Sequence, residues 1–371
     1  MGFRRFTISF FIMLVAFVAA NALIWFGWTR ELTDPSRNAG DLLRIGYILG
    51  HVAHRENVDD LPKRHIRIDQ YHGQPIDLVT VGDSFSMGGG GGRNSHYQDY
   101  IATLQGMNVL SVPNLPSNTA NAEDIDAAPV TTLSKLINSG YLDKVKPRYL
   151  LLESVGRFTI NRLTKHLSLK ETAAIEDIER TYRKQPPATR RDATKAFDLH
   201  FINNGNWKFI GNNLQYLVRD EAKGSKVFIS KLNRRFFSSA PGDRLIFYVD
   251  DIKSSKLSTP ASVAEANRNL NRLAAVLKAK GITLIFMPIV DKLDLYHPYL
   301  VTKRYPQNSF FEELRPLPKD YLYIDTKAIL SRALEKGELD IYHQDDSHWT
   351  WKASEIIFSS IRISELSNAG K

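Results

Sequence analysis

The apolar positions divide the chain into an uninterrupted N-terminal run and a longer part in which short runs alternate with helical patterns. The N-terminal run, residues 7–28, reads TISFFIMLVAFVAANALIWFGW and contains no charged residue. A helix of about 20 apolar residues is long enough to cross the hydrocarbon core of a bilayer. The pattern therefore predicts one membrane-spanning helix.

The residues at the two ends of this run predict its orientation. Arg4 and Arg5 precede it, so the positive-inside rule keeps residues 1–6 in the cytoplasm and the rest of the chain outside. Trp25 and Trp28 stand where an interfacial aromatic belt is expected. We expect a single-pass protein of a bacterial inner membrane whose folded part is periplasmic.

A cleaved signal peptide is the alternative interpretation of this run. Ala20-Asn21-Ala22 resembles a cleavage site with small residues on either side. The apolar run continues well past that site, which favours an uncleaved anchor. In both interpretations, the remainder of the chain is exported.

Residues 29–75 are predicted to form a polar stalk with a short helix around residues 39–53. Beyond it, short apolar runs alternate with helical patterns, as at 263–280. Alternation of this kind is typical of an α/β fold with a parallel sheet whose strands are buried on both faces. We expect a three-layer, flavodoxin-like, mainly parallel sheet of about five strands within residues 76–365. The five runs are 76–81, 107–112, 149–153, 282–289 and 321–324.

Residues 155–260 interrupt this alternation. The segment is basic and is broken by Gln185-Pro186-Pro187. A structureless loop of this length is uncommon inside a compact domain. We interpret the segment as an inserted, partly helical cap near the carboxyl ends of the strands.

Charge and cysteine content narrow the classes of function. The formal net charge is +9, so the surface attracts anionic polymers, or it is a solvated basic surface without a dedicated partner. The chain shows no zinc-finger or RNA-recognition signature, and we expect no nucleic-acid partner. The absence of cysteine excludes disulfides, thiolate catalysis and cysteine-ligated zinc.

Two loops carry the candidate chemistry. The first strand leads into Gly82-Asp83-Ser84, and the last strand is followed by Asp345-Asp346-Ser347-His348. Each motif alone is common, and the second also fits an ordinary acidic surface loop. The carboxyl ends of parallel strands meet at one edge of a sheet, so the pair predicts a serine nucleophile, Ser84, with His348 as its base and an aspartate that orients the base.

These motifs resemble those of the SGNH/GDSL hydrolase superfamily, and most closely those of the alginate O-acetyltransferase-like proteins. The stretches that carry the resemblance are 82–86, 285–292 with the following Tyr296, and 342–350. Two features depart from the alginate-type pattern. The aspartate–histidine element follows the serine motif instead of preceding it, and the second-block glycine and third-block asparagine are not obvious.

The resemblance implies a serine-dependent O-acyltransferase, most simply an O-acetyltransferase, that modifies an exported polysaccharide or another cell-envelope glycan. It also implies a membrane-bound O-acyltransferase as the partner that delivers the acyl group. We expect neither a metal nor a cofactor. A carbohydrate or lipid esterase of the same fold, and a non-catalytic scaffold of a polysaccharide export complex, are the alternatives.

The alginate-type spacing selects Asp346 as the partner of His348, and Trp349-Thr350 extends that match, whereas ordinary SGNH spacing selects Asp345.

Further candidates for the oxyanion or substrate contacts follow the strands. Asn114 or Asn118 would serve as an oxyanion donor, although simple turn chemistry also explains them. Arg157 either reaches the crevice or forms a salt bridge, and Lys292 and Tyr296 are expected to line the site after the fourth strand.

Five consecutive glycines, residues 88–92, follow the serine motif closely. No Lys-Ser/Thr pair follows them, so they do not form a phosphate-binding loop. We expect them to give the chain mobility beside the nucleophile.

Overall fold

The computed structural model describes residues 2–33, 39–50, 60–115, 127–183 and 199–368, which contain eight strands and fifteen α-helices. The strands are Ile66–Arg67 (β1), Leu78–Val81 (β2), Val109–Ser111 (β3), Tyr149–Val155 (β4), Val227–Lys231 (β5), Arg244–Tyr248 (β6), Thr283–Ile289 (β7) and Leu322–Tyr323 (β8). The helices are Gly2–Ile24 (α1), Arg30–Thr33 (α2), Asp41–Gly46 (α3), Tyr97–Gln105 (α4), Ala128–Asn138 (α5), Tyr141–Val145 (α6), Gly156–Asn161 (α7), Ile175–Arg183 (α8), Asn204–Tyr216 (α9), Val249–Ser255 (α10), Pro260–Lys278 (α11), Lys292–Tyr296 (α12), Phe310–Leu314 (α13), Thr326–Glu335 (α14) and Trp351–Ser360 (α15). Two π-helical turns, Trp25–Thr29 and Arg162–His166, continue α1 and α7.

The main sheet has six strands in the order β1-β3-β2-β4-β7-β8, and every neighbouring pair is parallel. The prediction of an α/β fold with a mainly parallel sheet is confirmed. Each of the five predicted runs contains one strand. The sixth strand, β1, is only two residues long, too short to leave an apolar run in the sequence.

Apolar residues fill the space between the sheet and its helices. All seven residues of β4 are buried, because helices cover both faces of a parallel sheet. Helix α11 packs against β7 and buries Leu270, Leu273 and Leu277 at the helical spacing seen in the sequence. Its N-terminus is capped by Thr259, whose side chain accepts a hydrogen bond from the Ser262 amide.

The segment predicted as an insertion contains α7 to α10 and an antiparallel hairpin of β5 and β6. The hairpin and α9 bury apolar side chains against the residues that follow the N-terminal helix, and this forms a second, smaller hydrophobic cluster. Part of the segment therefore packs on the N-terminal part of the chain, and other residues of it belong to the main core. The cluster contains Leu32, Leu42, Leu43, Ile48, Phe209, Tyr216, Val227, Ile229 and Ile246, among others.

The helical region Phe3–Thr33 is long and apolar enough to cross a membrane, with a mean hydropathy of 2.3 over its most apolar window. Only 11% of that window is buried, whereas a core helix of a soluble protein is mostly buried. A signal sequence would have the same length and composition.

Candidate active site

Ser84 stands in a tight turn directly after β2, and Glu153 on β4 holds that turn from behind. The Glu153 carboxyl oxygen Oε2 accepts hydrogen bonds from the Asp83 amide (2.9 Å) and from the Ser86 hydroxyl (2.8 Å). A side chain at position 82 would clash, because a Cβ there would lie 2.3 Å from Glu153 Oε2. Gly82 is therefore required by the close approach of this buried carboxyl.

Asp83 fixes the other side of the turn. Its Oδ2 accepts from the Val155 amide (2.9 Å) and from Arg162 (3.0 Å), and its Oδ1 accepts from the Phe85 amide (3.2 Å). Burial alone would raise the pKa of Asp83, but the charge of Arg162 and these hydrogen bonds lower it below its usual value. Burial, followed by the charge of Asp83, raises the pKa of Glu153 well above the ordinary range.

His348 lies between the serine and an aspartate, although 264 residues separate it from Ser84. Its Nε2 is 2.7 Å from Ser84 Oγ, and its Nδ1 is 2.6 Å from Asp346 Oδ1. Burial lowers the pKa of His348, but the hydrogen bond and charge of Asp346 outweigh it, so the pKa is raised overall. The structure thus joins Ser84, His348 and Asp346 in one hydrogen-bonded chain.

The structure also separates the two candidate aspartates. Asp346 Oδ1 faces His348, and its other oxygen, Oδ2, accepts a hydrogen bond from the Asp41 amide (3.1 Å). Asp345 Oδ2 accepts from the Gly40 amide (3.0 Å). In this arrangement Asp346 orients the imidazole, and Asp345 joins the loop to the N-terminal segment.

Asp41 is a site residue that sequence reasoning missed. Its Oδ1 accepts from the Ser347 amide (2.7 Å), its Oδ2 accepts from the Ser347 hydroxyl, and Oδ2 lies 3.9 Å from His348 Nδ1. The Leu43 amide adds a bond to the Asp345 carbonyl (3.4 Å). The start of α3 therefore holds the loop that carries His348 in place. No local motif in the sequence indicates this contact, because the two segments are about 300 residues apart.

Asp41, Asp346 and His348 are also the one group among the described residues whose ligand atoms, all within 4.8 Å of one another, could hold a metal ion. The histidine atom involved, Nδ1, is hydrogen-bonded to Asp346, and Asp41 is hydrogen-bonded to Ser347. Hydrogen bonding therefore accounts for the arrangement of these side chains.

The glycine run packs directly over the serine and the histidine. The Gly89 amide donates to the Ser84 carbonyl (2.7 Å). A Cβ at Gly89 would lie 2.3 Å from His348 Cδ2, and a Cβ at Gly90 would lie 3.2 Å from His348 Cβ. The prediction that the run supplies mobility stays a prediction, and the structure shows a close contact that leaves no room for a side chain at Gly89.

Two groups are candidates for contact with an oxyanion. The Ser84 amide donates no hydrogen bond to another described residue. Asn114 follows β3, which pairs with β2 in parallel register, so it lies at the same edge of the sheet as Ser84. Its side-chain Oδ1 is buried without a hydrogen-bond partner among the described residues. Asn118 lies outside the described residues.

Lys292 was predicted to line the crevice, and the structure gives it a different position. Its buried Nζ donates to the carbonyl oxygens of His343 (2.6 Å), Gln344 (2.8 Å) and Asp346 (3.0 Å). Burial lowers the pKa of Lys292 to about 8, although the charges of Asp345 and Asp346 oppose this change. Lys292 therefore shapes the loop that carries Asp346.

Arg157 and Tyr296 are likewise held in the interior and do not line an open crevice. Arg157 forms salt bridges with Asp291 (3.1 Å) and Asp251 (3.6 Å), since a buried cation needs an acidic partner. Tyr296 is fully buried, and its ring packs edge-on against Phe236. Arg157 therefore forms the salt bridge that was the alternative to a contact with the crevice. The prediction that Tyr296 contacts the substrate is not supported, because its side chain is buried.

Comparisons with known proteins do not identify a family. No family model matches the chain, and neither a curated protein nor a solved structure matches it. A functional assignment therefore rests on the motifs of the sequence and on the geometry of the site.

Proposed function

We propose that this chain is a membrane-anchored O-acyltransferase of the SGNH type, most simply an O-acetyltransferase acting on an exported polysaccharide or another cell-envelope glycan. One observation carries the proposal: Ser84 Oγ, His348 and Asp346 Oδ1 form a continuous hydrogen-bonded chain with links of 2.7 and 2.6 Å. A hydroxyl bonded to an imidazole that is itself bonded to a carboxylate is the arrangement that activates a serine nucleophile.

The proposed reaction has two acyl transfers. His348 Nε2 takes the proton of Ser84 as Oγ bonds to the carbonyl carbon of an acyl ester. The Ser84 amide stabilises the resulting oxyanion, and the side-chain Nδ2 of Asn114 is the proposed second donor. The carbonyl re-forms, the bond to the leaving alcohol breaks, and the alcohol receives the proton from His348. Asp346 stabilises the imidazolium during both steps.

The acyl-enzyme is then resolved by the reverse sequence. A sugar hydroxyl loses its proton to His348 Nε2 and attacks the Ser84 ester, and Oγ leaves as it regains that proton. The product is an O-acylated sugar and free enzyme. If water takes the place of the sugar, the same steps release a carboxylic acid, which is the esterase reaction.

The fold supports a site at this edge of the sheet. Without the edge strand β1, the order β3-β2-β4-β7-β8 corresponds to the 2-1-3-4-5 order of flavodoxin-like sheets. Ligands of such sheets bind outside the carboxyl ends of the strands. Ser84 follows the carboxyl end of β2, which supports its assignment as the nucleophile.

The N-terminal helix supports the proposed location. Arg4 and Arg5 lie at its start, which favours a cytoplasmic N-terminus and a periplasmic site. Cytoplasmic acyl donors do not reach that side of the membrane. A membrane-bound O-acyltransferase that passes the acyl group across the bilayer is therefore the proposed partner.

A basic groove beside the catalytic loop supports an anionic acceptor. The groove has a volume of about 690 Å³, and Lys231, Arg234 and Arg235 contribute to its lining. Pro241 also lines it, and its carbonyl accepts a hydrogen bond from Gln344 (2.7 Å), two residues before Asp346. Cationic side chains at this place would attract an acidic glycan toward the site.

The test uses the full chain in detergent and a fluorophosphonate probe, with peptide mass spectrometry to locate the adduct. We expect the adduct on Ser84, none in Ser84→Ala, and a rate at least about 100-fold lower in His348→Ala, because the general base is lost. Ser359→Ala, at an exposed serine, is the matched control and should react like the unmodified protein.

The second half of the test distinguishes the reactions. The same samples receive an activated acetyl ester with and without acidic or neutral glycans. Acetylated sugar supports the transferase, and release of acetate alone supports the esterase. A Ser84 that the probe never labels in correctly folded protein would contradict an enzymatic role and would favour a scaffold.

A further inference from the structure

Helix α9 is joined to the N-terminal helix by a buried polar cluster. Asn21 Oδ1 accepts a hydrogen bond from Asn206 Nδ2 (3.0 Å), and Asn206 Oδ1 accepts one from the Thr29 hydroxyl. All three residues are fully buried. Polar side chains in a membrane-spanning segment are costly unless they are paired, so this cluster fixes the first turns of α9 to the anchor.

Contacts between aromatic rings connect α9 to the N-terminal helical region at two further places. The Phe17 ring stacks on Trp207, with centroids 6.2 Å apart, and the Trp28 ring stacks on Phe209 at 5.9 Å. Phe17 and Trp28 both belong to the predicted membrane span, residues 7–28. Phe17 lies near the middle of that span and Trp28 at its outer end, so the start of α9 lies beside the outer half of the span if the anchor crosses the bilayer.

Helix α9 and the turn after it expose an apolar stripe, which we call the α9 stripe. Its members are 49–79% exposed. Trp207 and Leu214, seven residues apart, share one side of α9, and Leu217 and Val218 follow in the turn after the helix. Phe209 and Tyr216, on the opposite side, are buried in the smaller hydrophobic cluster. The α9 stripe consists of Trp207, Leu214, Leu217 and Val218.

Nothing in the described structure covers the middle of this stripe. Gly211 lies between Trp207 and Leu214, and a Cβ built there would meet no atom within 4 Å. A row of large apolar side chains in water is unfavourable and marks a contact with a membrane or another apolar surface. Because the stripe begins at the ring that stacks on Phe17, the nearest such surface is the lipid around the anchor.

Positive charges follow the stripe. Arg219, Lys223 and Lys226 are exposed just beyond it, and the nearby acid Glu221 is paired with Arg304. Apolar side chains flanked by lysine and arginine are typical of helices that lie in the interface of a membrane containing anionic lipid.

We propose that α9 is an interfacial helix whose stripe inserts into the outer leaflet of the bilayer beside the anchor. The protein then touches the membrane at two places, the spanning helix and α9, which fixes the orientation of the catalytic edge above the lipid. This inference rests on the membrane span that is part of the proposed function. It assigns the stripe to lipid and not to a protein partner.

The test uses single-cysteine variants, because the chain has no cysteine of its own. Leu217→Cys reports on the stripe, Ile12→Cys on the anchor, and Val301→Cys on an exposed apolar position of similar accessibility elsewhere in the protein. Each full-length variant is labelled with an environment-sensitive fluorophore and reconstituted in vesicles of phosphatidylcholine and phosphatidylglycerol. Nitroxides on the lipid acyl chains and iodide in the buffer are the two quenchers.

We expect the Leu217 label to be quenched by the lipid nitroxide and its iodide quenching constant to be at least about threefold lower than that of the Val301 label, because an interfacial helix is buried about 5–10 Å into the headgroup boundary. Equal iodide quenching at both positions, with Ile12 in lipid, would overturn the inference and leave the anchor intact. Shielding of Leu217 from both quenchers would assign the stripe to protein and also overturn it. An Ile12 label outside the lipid would refute the membrane span itself.

Discussion

At the scale of single residues, His348 sets the pH range in which the site can act. Its pKa is raised above the ordinary value of about 6.5, because Asp346 and then Asp41 outweigh the effect of burial. Only the neutral imidazole can take a proton from Ser84. Activity is therefore expected to fall as the pH decreases through a midpoint above about 6.5, measured as kcat/KM for hydrolysis of an activated ester.

Replacement of Asp41 tests whether its charge raises the pKa of His348 and so sets the pH midpoint of activity. Asp41→Asn removes a negative charge 3.9 Å from His348 Nδ1, so the protonated imidazole loses stabilisation and the midpoint should move to lower pH. Asp143→Asn, at an exposed acid, should leave the midpoint unchanged. If Asp41→Asn lowers activity without moving the midpoint, Asp41 acts only by holding the loop.

Glu153 offers a test of a buried neutral carboxyl. Burial and the charge of Asp83 raise the pKa of Glu153 well above its usual range, which favours the protonated, neutral form of the carboxyl. Glu153→Gln keeps an acceptor for the Asp83 amide and the Ser86 hydroxyl and should cost less than about 1.5 kcal/mol of unfolding free energy.

Glu153→Ala provides the contrast in the same unfolding experiment. It leaves two buried donors without an acceptor and opens a cavity, so the loss should reach about 3–4 kcal/mol. Equal losses for Gln and Ala would indicate that the carboxyl is ionised in the folded protein.

At the scale of secondary-structure elements, the strands of the main sheet could be predicted because each is buried on both faces and leaves a continuous apolar run. β1 could not be predicted, since two residues carry no pattern. The hairpin of β5 and β6 was also missed: its apolar residues lie in a basic segment, and its pairing is set by packing against α3 and α9.

The site divides in the same way. Ser84, Asp346 and His348 could be named from the sequence because each lies in a short motif, one directly after β2 and the other in the loop between α14 and α15. Asp41 could not, because its role depends on a contact between distant segments. Lys292 is recognisable as a motif residue, but only the fold shows that its Nζ is used by three backbone carbonyls.

The glycine run gives a prediction at this scale. In Gly89→Ala the new methyl group would lie 2.3 Å from the His348 ring, so the imidazole must move. A displacement of about 1 Å can cost about 100-fold in rate, and we expect a loss of that order in kcat/KM with little change in the unfolding midpoint.

Gly91→Ala is the matched control for this prediction. A Cβ at position 91 meets no atom within 4 Å, although the φ of +71° makes any side chain there strained. Its activity should stay within about tenfold of the unmodified protein, because the strain costs only about 1 kcal/mol. Equal losses in both variants would show that loop flexibility, and not contact with His348, is what the glycines provide.

At the scale of the whole molecule, the buried polar contacts between the N-terminal helix and α9 should contribute to the stability of the fold. Asn206→Leu leaves Asn21 and Thr29 without their partner in a buried place, which costs about 1–3 kcal/mol. We expect a lower thermal unfolding midpoint for the full chain in detergent. The control is Asn204→Leu, at the exposed first residue of α9, which should leave the unfolding midpoint unchanged. An unchanged midpoint in both variants would argue that the contacts of Asn206 with the N-terminal helix do not stabilise the protein.

The arrangement of the N-terminal segment was the least predictable part of the molecule. The sequence between the anchor and the sheet predicts a polar stalk with a short helix around residues 39–53, but it gives no sign that residues 40–43 contact the loop that carries His348. Part of the segment 155–260, which we interpret as a cap, packs on this same N-terminal region. Both outcomes follow from tertiary contacts that leave no periodic pattern in the chain.

The bonds between residues 40–43 and residues 345–347 have a consequence for biosynthesis. A growing polypeptide leaves the ribosome with its N-terminus first, so Ser84 emerges about 260 residues before His348. Until the last part of the chain has been made and has folded back onto residues 40–43, Ser84 is an ordinary alcohol. If the protein is the exported enzyme proposed above, incomplete chains would be inert toward the esters of the cytoplasm, and activity would begin only after translocation is finished.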